Sequence, residues 1–310
     1  MLSRVADSIF WMSRYMERST SLLRVARTHY IASQDDIQDF DWRSLVTMYT
    51  WDGDIRPPLP ADQRPPAMLH HLVLDRNNDA SAVNNIAKAR ENARAIQDNI
   101  TKELWQCLND YHHLIREPRI ENALLSGDPV SSFDLLLRQS TLYYGTVDST
   151  MARGEGFNFL NIGKFLERAM QTADLLRWKL ADGFDGTDLS DRNGWRYGML
   201  SLSGYELYLK TYRGTFRPDL AVEQTVLNAS FPHSILYCLG QIKRYFDRLQ
   251  GDSQDESYRA VDFLIGRASN IVRYTDVRNG TKDSLDEFLA ATQKELLAIA
   301  YGLNRYYFGA

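Results

Sequence analysis

Cysteine is scarce in this chain, since only Cys107 and Cys238 occur among its 310 residues. Two thiols cannot build a disulfide scaffold, so both are predicted to be reduced and buried. Long apolar runs are also lacking, because no stretch approaches the ~20 residues that a membrane-spanning helix needs. The first turns are charged and contain no apolar signal core, which favours a cytoplasmic protein without a membrane partner.

An excess of positive charge is lacking too. The chain has 36 Lys and Arg against 40 Asp and Glu, a net charge of −4 and an isoelectric point near 5.9. These values argue against a nucleic-acid partner, although net charge does not exclude a local basic groove. A chain of this length buries about three-quarters of its unfolded surface and needs no disulfide or metal to fold.

Catalytic and metal-binding motifs are missing as well. None of the six histidines forms His-Glu-x-x-His or Glu-x-x-His, so neither a zinc protease nor a di-iron bundle is predicted. The chain has no phosphate-binding P-loop and no nucleophile elbow. His112 and His113 are adjacent and would point apart on a helix. We therefore expect no metal and no cofactor in this chain, and its catalytic residues, if any, stay unassigned.

Helical periodicity dominates what is present. Apolar residues recur at three- and four-residue spacing, with no convincing alternating series, which predicts an all-α multi-helix bundle. Prolines between positions 52 and 66 and glycines between 181 and 194 predict loops. Helices are predicted over about 4–32, 42–49, 67–74, 81–99, 101–114, 131–144, 155–180, 195–209, 220–227, 232–249, 256–272 and 284–307.

Three blocks of the sequence recur in order. Residues 9–19 match 159–169 at an offset of 150, and both contain Glu-Arg. Trp42-Arg43 matches Trp195-Arg196 at an offset of 153, and residues 73–75 and 81 match 226–228 and 234 at the same offset. The pattern predicts an internal duplication with halves 1–150 and 151–310, packed as one compact unit about a pseudo-twofold axis. Such packing would place the two Glu-Arg pairs symmetrically.

The paired Glu17-Arg18 and Glu167-Arg168 are the first candidate site residues. Adjacent helical residues point about 100° apart, so the members of a pair do not face each other. One interpretation is an ion pair between helices that fixes their register. The other is a polar site, in which arginine binds a carboxylate or phosphate and glutamate binds a cationic group.

Two further segments carry candidate substrate-binding residues. Arg90, Glu91, Asn92 and Arg94 lie on one predicted helix, either as a solvated face or as a specific contact. Arg153 and Glu155 flank a Gly-x-Gly sequence before the second Glu-Arg helix. Those glycines indicate either a loop hinge or backbone N–H groups accessible to an anion.

The chain resembles the bacterial alpha-E proteins, helical domains named for their Glu-Arg motif. The resemblance spans nearly the whole chain. It departs at Asp7-Ser8, where the family usually has Glu-Asn, and at Phe157, where it usually has Trp. The matching segments are residues 2–7, 15–18, 89–94, 104–109, 151–156, 165–169 and 231–239.

The resemblance implies a genomic companion, a circularly permuted ATP-grasp protein, often with a transglutaminase-like protein and sometimes a proteasome-like hydrolase. It therefore implies an accessory or substrate-presenting subunit in ATP-dependent amide or peptide synthesis, with ATP and Mg²⁺ bound by the partner. Two alternatives stay open, a stand-alone enzyme with Glu17 or Glu167 as general base and a structural scaffold. A homo-oligomer also stays open.

Overall fold

The computed structural model describes residues 1–34, 42–49, 60, 62, 64–182, 189–214, 216–250 and 256–309. Within these ranges the protein is all-α, as predicted, and contains no β-strand. Its helices are α1 (Ser3–Ala32), α2 (Trp42–Tyr49), α3 (Pro65–Val73), α4 (Ala82–Ala95), α5 (Lys102–Leu114), α6 (Pro118–Ser126), α7 (Pro129–Thr150), α8 (Glu155–Asp182), α9 (Leu189–Ser201), α10 (Tyr205–Thr211), α11 (Pro218–Leu227), α12 (Ile235–Asp247), α13 (Glu256–Arg273) and α14 (Lys282–Leu303).

The chain divides into two compact units. One consists of Arg14–Ala152 and is called the inner unit here, and the other consists of Met1–Ser13 with Arg153–Ala310 and is called the split unit. Helix α1 therefore supplies its first turns to the split unit and the remainder to the inner unit.

In the inner unit, α5 packs between α4 and α7, and α6 lies against both α3 and α7. Its core contains large aromatic side chains that are fully buried, among them Tyr111, Phe133 and Tyr143. The hydroxyl groups of Tyr111 and Ser140 are 3.0 Å apart, which satisfies a polar group inside this core. Arg27 Nε donates to Asp134 Oδ1 at 2.7 Å and so joins α1 to α7.

In the split unit, α8 packs against α12 and α14, and α13 lies against α12 and α14. Phe231, Phe246 and Tyr208 are among its fully buried side chains. Arg177 Nε donates to Asp286 Oδ1 at 2.7 Å, which joins α8 to α14. The chain ends in a π-helical turn over Asn304–Phe308, and the Phe308 ring lies 5.2 Å from the ring of Phe10.

Three helices of the inner unit have counterparts in the split unit at one sequence spacing. α3, α4 and α7 begin at 65, 82 and 129, and α11, α12 and α14 begin 153 residues later at 218, 235 and 282. The starts of α3 and α11 share proline in the first turn and arginine at the N-cap. Ser81 and Ser234 cap α4 and α12, each accepting from the backbone N–H three residues on.

Several predicted boundaries were wrong. The helix expected to reach position 99 ends at Ala95 and gives way to a 3₁₀ turn at Gln97–Asn99. The helix expected over 195–209 is interrupted at Ser203, whose φ of 54° lies in the left-handed region. α6 was not predicted. The predicted glycine loop is in part the helix α9, because burial of Trp195 and Met199 outweighs the glycine penalty of about 1 kcal/mol. Positions 183–188 and most of the predicted proline loop lie outside the described residues.

Helices α1 and α8 approach closely at Gly163. A Cβ atom at this position would lie 2.6 Å from the carbonyl oxygen of Phe10 and would also contact Ser13 Oγ. Both neighbours belong to the split unit, and one of them is backbone that a side-chain rotation cannot move away. The close approach of the two helices therefore depends on the absence of a side chain at Gly163.

We predict that Gly163→Ala lowers the free energy of unfolding by about 1–3 kcal/mol, because the added methyl group forces the helices apart. Urea unfolding followed by circular dichroism measures the change. Gly240→Ala in α12 is the matched control, since nothing lies within 4 Å of its Cβ position. That control should gain up to ~1 kcal/mol from helix propensity. An equal gain at both positions would contradict the steric argument.

Candidate functional site

The glutamates of both Glu-Arg motifs are buried, since Glu17 on α1 and Glu167 on α8 are each 1 % exposed. The arginine that follows each of them lies on another face of its helix. Arg18 Cζ lies 5.6 Å from the centroid of the Tyr15 ring, and Arg168 Cζ lies 5.4 Å from that of Phe165. In each unit the motif therefore directs a carboxylate inward and a guanidinium over an aromatic ring three residues earlier.

Glu17 has partners on two helices of the inner unit. The Tyr144 hydroxyl on α7 donates a hydrogen bond to Glu17 Oε2. Arg24 Nη2 lies 3.9 Å from Glu17 Oε1, and Arg24 follows Glu17 two turns along the same helix. A buried carboxylate needs such partners, because an uncompensated charge in the interior costs several kcal/mol. This ion pair lies within α1, whereas the hydrogen bond from Tyr144 joins α1 to α7.

Tyr143 lies beside this carboxylate and is fully buried. Its ring centroid is 5.2 Å from that of Tyr144. The Tyr143 hydroxyl has no hydrogen-bond partner among the described residues. Burial raises the pKa of Tyr143 above its ordinary value, with smaller contributions from Cys107 and the charge of Glu17. Glu17 is therefore close to a neutral hydroxyl group that has unused hydrogen-bonding capacity.

Glu167 and its neighbours connect α8 to the segment that precedes α12. Gln171 Nε2 donates to Glu167 Oε1 at 3.3 Å, one turn along α8. Arg168 Nη1 donates to the Pro232 carbonyl at 3.3 Å. One turn later, Thr172 Oγ1 donates to the His233 carbonyl at 2.9 Å. Arg168 and Thr172 therefore fix the segment before α12 against α8, and the Pro232 carbonyl orients the Arg168 guanidinium.

Four aromatic rings of the split unit form a continuous layer between α8 and α12, which we call the aromatic face. It consists of Phe157, Phe165, Tyr237 and Tyr245. The ring of Tyr245 stacks on that of Phe165, with centroids 6.2 Å apart and an interplanar angle of 14°. Phe157 contacts Tyr245 edge-on, and Tyr237 contacts Phe165 in the same way.

Five cationic side chains lie over the aromatic face. Arg153 Cζ is 4.1 Å from the Phe157 centroid, and Lys164 Nζ is 4.5 Å from that of Phe165. Arg248 and Arg244 lie 5.4 and 5.9 Å from the Tyr245 centroid, and Arg168 completes the set. Cations are attracted to ring faces, and guanidinium and ammonium groups are the side chains that recognise carboxylates and phosphates.

The structure thus brings Arg153 and Arg168 onto one surface, as the sequence alone did not show. Among the described residues, no hydrogen bond or ion pair joins Glu155 to this surface. Glu155 Oε2 instead accepts a charged hydrogen bond from the amino group of Met1 at 2.5 Å.

Arg90, Glu91 and Arg94 form a separate network in the inner unit. Glu91 accepts from Arg90 Nη1 at 2.8 Å and lies 2.7 Å from Arg94 Nη2. Arg90 Nε also donates to Asn109 Oδ1 at 2.7 Å on α5. Arg94 lies in the last turn of α4, which ends at Ala95. Arg94 and Glu91 are mostly exposed, so Arg90 is the member that makes a specific contact.

Asn92 stabilises its own helix, since its Nδ2 donates to the Lys88 carbonyl at 2.9 Å. The Lys88 side chain reaches back to α1, where Nζ lies 5.7 Å from the Tyr15 centroid. Tyr15 is therefore contacted by Lys88 as well as by Arg18. Phe165 on α8 likewise lies between two cations, Lys164 and Arg168.

Sequence reasoning missed the aromatic partners of the arginines and the tyrosine partner of Glu17. A signal for the first was present, because an aromatic residue precedes each motif arginine by three positions, at Tyr15 and Phe165. No comparable signal pointed to Tyr144, which is far from Glu17 in sequence and comes close only through packing of α1 on α7.

The described residues contain no group of three or more His, Cys, Asp or Glu side chains that could hold a metal ion. No helix in the described part is long and apolar enough to cross a membrane.

Comparison with known proteins shows the family. A family model described as a predicted alpha-helical domain with a conserved ER motif, Alpha-E, matches residues 1–308. Uncharacterised proteins of Mycobacterium bovis and Mycobacterium tuberculosis are 22 % identical over 320 aligned positions, which cover 96 % of this chain. The chain spans only 36 % of the length of these relatives. No solved structure matches the chain. Because the family model covers nearly every residue and its motif occurs at Glu17-Arg18 and Glu167-Arg168, the chain belongs to the Alpha-E family.

Proposed function

We propose that the chain arose by internal duplication and that its two Glu-Arg motifs are equivalent. The common spacing of three helix starts supports this, as does the matching burial of Glu17 and Glu167. The interhelical pairs Arg27–Asp134 and Arg177–Asp286 add an independent correspondence at nearly the same spacing. Both motifs keep a buried carboxylate and a guanidinium over a ring. We therefore infer that each copy has a function.

We propose further that the protein is an accessory, substrate-presenting subunit of an ATP-grasp ligase, acting in the cytoplasm. Such a ligase joins a carboxylate to an amine. ATP phosphorylates the carboxylate to an acyl phosphate and leaves as ADP, and attack by the amine then releases phosphate and forms the amide. In this proposal ATP and Mg²⁺ are bound by the partner, and this chain binds the acidic end of a substrate. A transglutaminase-like protein is a further candidate partner.

The observation that carries this proposal is the set of five cations over the aromatic face. Guanidinium groups bind carboxylates through paired hydrogen bonds, and a ring beneath them limits their motion and their solvation. Arg168 is the central member, because it is held by Phe165 on one side and by the Pro232 carbonyl on another. We assign it the role of binding a substrate carboxylate or phosphate, with Arg153 and Lys164 as neighbours.

A second candidate, a structural role for the Glu-Arg motifs, is favoured by the surroundings of Glu17. Its carboxylate is 1 % exposed and already accepts from Tyr144. A side chain so enclosed has little room for an amine ligand. The motifs would then hold α1 and α7 in register, and the substrate would be bound elsewhere. The alternative of a stand-alone enzyme stays open and differs from both, because it requires turnover without a partner.

We predict that the protein co-purifies with an ATP-grasp protein encoded beside its gene. ATP turnover by that protein, measured over a panel of amino acids, should require this chain, because in the proposal it presents the substrate. A stable complex whose turnover depends on the chain supports the accessory role. Turnover by this chain alone would instead support a stand-alone enzyme. If the two proteins form no complex and this chain does not change the turnover, the ligase proposal is rejected.

We predict that Arg168→Gln lowers turnover of that complex about tenfold or more, because it removes a charge-assisted contact to the substrate. Thermal unfolding and gel filtration check that the chain stays folded and bound to its partner. Arg259→Gln is the matched control. Arg259 is exposed on α13 of the same unit, and its substitution removes the same positive charge. Equal turnover in both variants would remove Arg168 from the proposed site.

We predict that Glu17→Gln lowers the free energy of unfolding by about 1–3 kcal/mol, because it removes a buried charge near Arg24 while keeping the side-chain shape. Glu121→Gln is the control, as Glu121 is 54 % exposed in the same unit. Denaturant unfolding measures both. Turnover of the complex, assayed well below the melting temperature, then separates the roles. A purely structural Glu17 leaves turnover unchanged, whereas a substrate-binding Glu17 lowers it.

A further inference from the structure

Two exposed arginines, Arg244 in the last turn of α12 and Arg248 at its C-cap, lie one turn apart and are called the arginine pair here. Both reach the same ring, since their Cζ atoms lie 5.9 and 5.4 Å from the centroid of Tyr245. Like charges four residues apart on a helix repel each other. The pair therefore concentrates positive charge at one end of the aromatic face.

Asp247, the carboxylate of α12, lies between the two arginines in sequence but has other partners. It forms an ion pair with Lys243, and it accepts a hydrogen bond from the Tyr258 hydroxyl on α13 at 3.0 Å. Lys243 Nζ also lies 3.2 Å from Asp262 Oδ1 on α13. Asp247 is thus engaged on the α13 side of α12, and neither arginine of the pair forms an ion pair with a described carboxylate.

Three further carboxylates belong to segments that adjoin the pair or the aromatic face. Glu155, at the start of α8, accepts a charged hydrogen bond from the amino group of Met1 at 2.5 Å. Asp252 and Asp255 follow Arg248 in the sequence and lie outside the described residues. The experiment below therefore replaces both aspartates.

Ring contacts connect the arginine pair to Arg168. Tyr245 stacks on Phe165 with centroids 6.2 Å apart, and Arg168 lies over Phe165. Arg168 Nη1 also donates to the carbonyl of Pro232, shortly before α12 begins. Arg244 lies near the opposite end of α12, so the rise of the helix puts roughly 15 Å between Arg168 and the pair. The aromatic face thus offers two points for anionic groups, one at each end.

This separation sets the size of a ligand that reaches both points. An extended peptide advances about 3.5 Å per residue, so a free amino acid is far too short and about five residues are needed. Guanidinium groups bind carboxylates through paired, charge-assisted hydrogen bonds. An extended peptide with carboxylates near both ends matches the spacing and the charge of the two points.

The rings of the aromatic face favour a peptide over a single-stranded nucleic acid. Proteins bind single strands largely by stacking bases on exposed ring faces. Phe157 and Phe165 are only 5 % and 6 % exposed, and one face of Tyr245 is covered by Phe165. The rings support the guanidinium groups and leave little surface for a base, so the ligand is recognised by its carboxylates.

We propose that the substrate bound at the aromatic face is an acidic peptide of about five residues or more, with one carboxylate on Arg168 and another on the arginine pair. This inference rests on the proposed function, because it takes Arg168 as the binding point of a substrate carboxylate. It adds the chemical class and the minimum length of the substrate.

The test measures binding to the full chain alone, so it does not require an ATP-grasp partner. Fluorescence anisotropy follows labelled hexaglutamate at constant ionic strength, and unlabelled glutamate, hexaglutamine and oligothymidylate serve as competitors. We expect hexaglutamate to bind at least about tenfold more tightly than glutamate, because it gains a second charge-assisted contact. Hexaglutamine and oligothymidylate should compete weakly, since the first lacks carboxylates and the second depends on base stacking.

Arg244→Gln and Arg248→Gln should each weaken hexaglutamate binding about fivefold and leave glutamate binding unchanged, because glutamate reaches only Arg168. Both arginines are exposed, and thermal unfolding checks that the fold is retained. Arg259→Gln is the matched control, since Arg259 is exposed on α13, which contributes no ring to the aromatic face. If the pair only complements the C-terminal dipole of α12, the variants change stability and leave peptide binding intact, and the proposal fails.

The remaining outcomes separate this inference from the proposed function. Equal affinity for glutamate and hexaglutamate, with both lost in Arg168→Gln, overturns the peptide and leaves the role of Arg168 in place. Tight competition by oligothymidylate, or equal weakening by Arg259→Gln, also overturns it. A tenfold gain in hexaglutamate affinity on replacing Asp252 and Asp255 by asparagine would show that these carboxylates occupy the pair. Absence of saturable binding rejects the peptide, whereas the ligase proposal is decided by co-purification.

Discussion

The packing of α7 against α1 in the inner unit depends on the buried carboxylate of Glu17. A carboxylate moved from water to the interior costs several kcal/mol unless donors replace its hydration. Tyr144 supplies a donor from α7, and Arg24 supplies a positive charge from α1 itself. The position of α7 against α1 is therefore set by a polar contact in addition to apolar packing. The Arg27–Asp134 pair joins the same two helices farther along α1.

The buried glutamate also determines where the next residue points. With about 100° between successive helical residues, burial of Glu17 or Glu167 turns the following arginine toward the helix flank. An aromatic residue three positions earlier lies on that flank and receives the guanidinium, as seen at Arg18 and Arg168. A single dipeptide thus places a carboxylate in the interior and a guanidinium over a ring at the helix flank.

Sequence patterns predicted the helical class and several helix starts, because both depend on local physics. Ser81 and Thr101 cap their helices as expected, since a hydroxyl in this position satisfies a free backbone N–H regardless of the rest of the fold. Errors arose where distant packing overrode local preference. α9 includes Gly194, and the expected helix over 195–209 is interrupted, where Gly204 approaches the buried ring of Phe231.

For the candidate sites, the sequence by itself determined which charged residues share a helix and that the members of each Glu-Arg pair point apart. These properties follow from helical periodicity, which holds along one helix whatever surrounds it. Only the tertiary structure decided that Glu17 meets Tyr144, that Arg153 and Arg168 share an aromatic surface, and that Arg90 reaches Asn109. Each of these contacts joins separate helices or their flanks, and the spacing between helices is set by side-chain packing that no local pattern encodes.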